Sequence, residues 1–242
     1  MNNTVKKLGF CSAILSAVFT IIWFITFNMK DVLAVFPEWQ NIEAYSEAFT
    51  IMRHIYIYPS LLLAITYIIM LSCIHLYAPE DKKVWSIVAL SIGIIYAVMA
   101  SINYNILAVA VRQSLSAGET AGIEMFIPDN PHSIFNALAN SYVYMAISMF
   151  FAAFIFQGSR LASWIRIIFL LQIISAVGQI GQSMFGWSMS IFIATSMVWV
   201  IGSPIAFILI AILFRKDTGH GSLYHDTTIS KIIKKVENEE GN

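Results

Sequence analysis

Six long apolar runs dominate this chain. They cover about residues 8–28, 55–77, 84–108, 134–157, 161–184 and 189–214, most of its 242 positions. A bilayer core about 30 Å thick is crossed by roughly 20 mostly apolar helical residues, and each run is at least that long. Apolar residues are continuous rather than alternating, which favours helices over strands. The chain is 58% hydrophobic and 12% charged, against about 45–50% and 25% in soluble domains. A water-soluble domain, disorder, collagen and a coiled coil are all excluded. The expected fold is all-α, a polytopic membrane protein with a six-helix domain over residues 1–216.

The first run follows Lys6 and Lys7 as a signal peptide would, but it is too long for one and no small-residue cleavage site follows. It is read as a retained transmembrane helix. Positive charges set the orientation. With a cytoplasmic N-terminus, the inside set is Lys6, Lys7, Lys82, Lys83, Arg160, Arg166, Arg215, Lys216, Lys231, Lys234 and Lys235. The outside set is Lys30, Arg53 and Arg112. Eleven against three places both termini in the cytoplasm, in a multi-pass protein of the cell membrane. Trp85, Trp164 and Trp187 fall at span ends as interfacial anchors.

The outward connections are the longer ones. Pro37-Glu38, Asn41–Tyr45 and Ala48–Met52 suggest a helix running on into span two. Span three continues past Asn105 towards Gly118, about 50 Å from residue 84 at 1.5 Å per residue. Helices two and three are thus expected to extend into an extracytoplasmic cap, with floppy loops as the alternative. Asp129-Asn130-Pro131-His132 reads as a helix start with Asn130 as its N-cap. One span in each half is read as kinked, at Pro59 and at Pro204. In the tail, residues 217–242, Ile229, Ile232, Ile233 and Val236 oppose Lys231, Lys234 and Lys235. This predicts a short amphipathic helix at about 227–237, lying on the inner leaflet.

Polar side chains in hydrocarbon are costly and usually face the bundle interior. His132, Asn136, Asn140, Tyr144 and Ser148 recur every four residues in span four. Gln172, Ser175, Gln179 and Gln182 share a face of span five. Span three carries Tyr96 and Asn103, and span two carries Arg53, Tyr56, Ser60 and Tyr67. Most sit in the outer half of the bilayer. One reading is that they bond helix to helix, at about 0.6 kcal/mol each. The other is a polar pocket open to the outside, lined by Tyr56, Asn103, Asn136, Asn140, Tyr144, Gln179 and Gln182, with Trp199 stacking on its contents. Arg53, His54, Arg112 and His132 lie near the outer interface, where they could receive an anionic group or simply face water.

Enzyme chemistry is thin. There is no HExxH, GxSxG or paired-acid prenyl-diphosphate motif. No Asp, Glu or Lys lies deep in a span. Cys11 and Cys73 sit in apolar runs, without metal-site spacing. No catalytic residue, metal or cofactor is expected. Fourteen basic and fourteen acidic residues cancel, and no basic stripe suggests nucleic acid.

The boundary motifs are His75-Leu76-Tyr77 with Lys82-Lys83, Gly158-Ser159-Arg160-Leu161 with Trp164-Ile165, and Ile212-Leu213-Phe214-Arg215-Lys216. Through them, about residues 5–216 resemble a broad set of uncharacterised six-helix prokaryotic membrane proteins. In that set an inner loop often carries a proline where this chain has Ser163. The resemblance implies the architecture and carries no activity. The expected partners are the bilayer and a small molecule or lipid bound in the outward pocket, in a transporter, receptor or sensor component. The alternative is a non-catalytic scaffold or accessory subunit whose polar residues only pack helices. A third reading is an intramembrane lipid-modifying enzyme.

Overall fold

The computed structural model describes residues 2–33 and 39–216. The amphipathic helix expected at 227–237 and the Pro37-Glu38 pair fall outside them. The elements are α1 (Asn3–Leu33), α2 (Ile42–Ala48), α3 (Ile57–Tyr77), α4 (Lys83–Asn105), α5 (Arg112–Ala117), α6 (Ile134–Ala139), α7 (Ser141–Ala152), α8 (Arg160–Phe185) and α9 (Met189–Lys216). No strand occurs among the described residues. Six helical stretches are long and apolar enough to cross a membrane: Asn3–Met29, Ile51–Tyr77, Glu80–Ala117, Ile134–Ile155, Arg160–Phe185 and Met189–Lys216.

These stretches close a ring in chain order. α1 packs on α3, α3 on α4, α4 on α7, α7 on α8, α8 on α9, and α9 back on α1. Short links between long helices favour antiparallel neighbours, and the link between α8 and α9 spans only residues 186–188. Outward faces stay apolar: Leu15, Ile65, Val98, Ile174 and Ile205 are all exposed. A soluble protein rarely shows so much exposed apolar surface; here it is the surface lipid would cover.

Close approach of α8 and α9 depends on Gly178. A Cβ there would lie 1.8 Å from the Thr195 Oγ1. Hydroxyls and amides tie other neighbours. Ser16 Oγ donates to Thr66 Oγ1 (3.1 Å), Tyr67 OH to Ser148 Oγ (3.0 Å), and Ser148 Oγ to the Ala89 carbonyl (2.7 Å).

One end of the ring carries the long connections, here termed the cap end; the other, with residues 2–7, 78–82 and 157–159, is the base end. At the cap end the third stretch runs on from Lys83 to Ala117 through a π-helical segment, Ile106–Val111. The helix expected to run from about residue 41 into span two is instead broken. Phe49 and Thr50 are extended, and a 3-10 turn, Ile51–His54, leads into α3. The helix start expected at Asn130 lies three residues later. Asn130 Oδ1 accepts from the His132 N–H at 3.0 Å, which commits it to a turn. Ser133 caps α6 instead, its Oγ accepting from the Phe135 N–H. Of the two expected kinks, Pro204 is inside α9, whereas Pro59 lies in the first turn of α3, where a missing N–H costs no intrahelical bond.

Candidate functional site

The cap end is held by a buried polar network. Asn41 caps α2 through a 2.8 Å bond from the Ala44 N–H, and α2 then buries Tyr45. The Tyr45 hydroxyl lies 2.9 Å from His54 Nε2. Beside it, Arg53 Nη2 lies 2.6 Å from Asp129 Oδ1, and Arg53 Nε donates to Oδ2 at 3.3 Å. Burial, and next the Asp129 carboxylate, push the Tyr45 phenol well above its usual pKa. Arg53 and His54 are therefore interior groups, while Arg112 and His132 are exposed. The four basic residues do not share one environment.

The amides are mostly spent on tethers. Asn103 Nδ2 donates to the Phe135 carbonyl (3.4 Å) and Gln179 Nε2 to the Ala139 carbonyl (3.3 Å). Asn136 is exposed and donates to the Asn130 carbonyl (3.0 Å). Asn140 and Gln182 are partly buried, and Tyr144 lies on the exposed side of its helix. Of the expected lining residues, Tyr56, Asn103 and Trp199 are buried.

Below the cap, the ring interior is filled by aromatic side chains. Trp23 of α1, Tyr142 of α7 and Trp199 of α9 meet with ring centroids 5.1 to 5.5 Å apart. Tyr96 lies 5.6 Å from Tyr142 and 5.5 Å from Tyr67. Tyr104 shares a 3.0 Å hydroxyl–hydroxyl bond with Tyr142, and its ring is edge-on to Tyr56. Such edge-to-face pairs add about 0.5–1.5 kcal/mol each beyond area burial. Towards the base end the filling turns apolar, with Met145, Met149, Phe207 and Phe169 fully buried.

Three donors in this cluster have no hydrogen-bond acceptor: Trp23 Nε1, Trp199 Nε1 and the Tyr96 hydroxyl. The Trp23 N–H lies near the Tyr104 hydroxyl but outside hydrogen-bonding geometry. A buried donor left unpaired costs about 1–3 kcal/mol. Three within one ring cluster, Tyr96 joined to the two tryptophans through Tyr142, mark a place suited to an acceptor.

Trp23, Tyr104 and Tyr142 escaped the polar-spacing argument, because it followed spacing along one helix at a time, whereas these rings meet across helices. A signal was present: Trp and Tyr prefer the membrane interfaces, and here they lie inside the spans. Among the described residues, no three His, Cys, Asp or Glu side chains are grouped to hold a metal ion. Two cavities open elsewhere: a groove of about 330 Å³ between α8 and α9, and a crevice of about 320 Å³ at the base end. No family model matches this chain, and no curated protein or solved structure matches it either.

Proposed function

We propose that this is a multi-pass protein of the cell membrane that binds a small molecule or lipid inside the cap-side half of its helix ring, as a transporter, receptor or sensor component. In this reading both termini are cytoplasmic, as the distribution of Lys and Arg favours, and the cap is extracytoplasmic. The observation that carries the proposal is the group of acceptorless donors on Trp23, Tyr96 and Trp199. Aromatic faces suit a flat or apolar body, and the acceptorless N–H and O–H groups suit a carbonyl, ether or carboxylate oxygen on it. Tyr56 and Asn103 stand between this cluster and the cap. In this reading the ligand enters past Asn140, Tyr144, Gln179 and Gln182.

Native mass spectrometry of the full chain in mild detergent tests it. A discrete small-molecule mass is expected, retained roughly tenfold less in Trp199→Phe, since one hydrogen bond is worth about 1–1.5 kcal/mol. Trp199→Phe keeps an aromatic ring but removes the indole donor together with part of the buried ring volume. A bare protein mass overturns the proposal.

A scaffold or accessory subunit is the second reading. The tethers made by Asn103 and Gln179 favour it, because they spend the amides on helix packing. A co-purifying subunit mass would select it.

A further inference from the structure

At the base end, the first turns of α1 and the last turn of α9 enclose the crevice of about 320 Å³. Asn3, Lys6, Lys7, Phe10, Phe214 and Arg215 line it. Its floor is built. The Phe214 ring is buried against the backbone of Gly9, where a Cβ would lie 2.8 Å from three of its ring carbons. Tyr77 meets the ring edge-on, at 6.0 Å between centroids. Phe10 is partly buried beside it. The floor is therefore apolar and fixed.

The charged residues of its walls are all positive. Lys6 and Lys7 project from the start of α1, whose first turn contains no acidic residue. Arg215 and Lys216 close α9. The dipoles of the two helix ends, positive at the start of α1 and negative at the end of α9, oppose each other, so the positive charge rests on the side chains. Neither Lys7 nor Arg215 has an ion-pair partner within 4.0 Å among the described residues. This contrasts with Lys83 at the same end, which is paired with Glu80. Like charges gathered over an apolar floor, where two helices leave the hydrocarbon, fit a ligand with an anionic head and an apolar tail.

We infer that this crevice is a binding site for an anionic phospholipid. Its phosphate sits between Lys7 and Arg215, and the upper part of an acyl chain lies against Phe10 and Phe214. Basic pockets between transmembrane helices recognise such headgroups, and each Lys or Arg near an anionic surface contributes enough for several-fold in affinity. The site is separate from the aromatic cluster and does not depend on what that cluster binds.

The test uses the full chain, delipidated in mild detergent and supplied with dioleoyl phosphatidylglycerol or dioleoyl phosphatidylcholine, read by native mass spectrometry. Wild type should retain phosphatidylglycerol preferentially. The Lys7→Gln/Arg215→Gln variant should retain it roughly 30-fold less, whereas Lys82→Gln and Trp199→Phe should retain it as wild type does. Both Lys7 and Arg215 are exposed, so the variant should fold. Equal retention of the two lipids, or unchanged retention in the variant, overturns the inference. Displacement of the lipid by millimolar inorganic phosphate would make the ligand a free phosphate instead. Failure to retain phosphatidylglycerol, with carbodiimide coupling of Lys7 to Glu237, Glu239 or Glu240, would overturn the inference and make the occupant the chain's own C-terminal tail.

Discussion

Arg53 grips Asp129 through two nitrogens, with Nη2 2.6 Å from Oδ1 and Nε 3.3 Å from Oδ2, across 76 residues of sequence. The Arg53 side chain is 7% exposed and that of Asp129 18%. The pair ties the turn leading into α3 to the loop leading into α6. Removing the Arg53 side chain leaves the Asp129 carboxylate, 18% exposed, without this ion pair. Arg53→Ala should therefore destabilise the fold by about 3 kcal/mol, seen as a lower unfolding midpoint in detergent. Arg53→Ala/Asp129→Ala should recover part of the loss. A single variant as stable as wild type would remove the pair from any account of cap stability.

The buried Tyr45 phenol gives the cap an alkaline limit. Its folded pKa lies above the ordinary value of 10.0, first through burial and then through Asp129. A group with a raised folded pKa contributes its stability fully below the unfolded pKa and loses it as pH climbs above. Between about pH 9 and about pH 11, wild type should lose more stability than Tyr45→Phe, which cannot ionise there. Parallel loss in the two proteins would contradict this.

Tyr67 and Ser148 join α3 to α7 by a 3.0 Å hydroxyl bond. A double-mutant cycle with Tyr67→Phe and Ser148→Ala should give a coupling of about 0.6 kcal/mol, the average for such bonds between transmembrane helices. Ser148 also donates to the Ala89 carbonyl and the Tyr67 hydroxyl also reaches the Met145 carbonyl at 3.3 Å, so each single substitution should cost more than the coupling itself. Strictly additive effects would mean the two hydroxyls act independently.

Gly178 is the sharpest steric test. Its missing Cβ leaves room for Thr195, so Gly178→Ala must push α8 and α9 apart. The expected cost is about 1–3 kcal/mol, typical of overpacking. Unfolding midpoints of Gly178→Ala and of Gly158→Ser, where nothing lies within 4 Å of the site, separate crowding from backbone strain.

Orientation can be read by labelling. With the native cysteines replaced by alanine, an impermeant thiol reagent added outside whole cells should modify Glu119→Cys and spare Asp81→Cys. The reverse pattern would invert the topology inferred from positive charge.

Span number and approximate limits were legible in the sequence because burial in hydrocarbon imposes a length and a composition on every crossing segment. The run-on of span three to Ala117 was legible for a similar reason: its apolar period simply continues. Local competition was less legible. Asn130 satisfied a turn and left the helix cap to Ser133, a choice between two short-range bonds that residue type alone does not decide. Tertiary structure decided the interior. Whether Arg53 meets water or Asp129, and whether Asn103 lines a space or tethers α6, depends on which helices become neighbours. Closing the ring in chain order brought Trp23, Tyr142 and Trp199 together from α1, α7 and α9. The physical reason is that transfer to lipid acts on each helix separately, whereas hydrogen bonds and ring contacts depend on distances between helices.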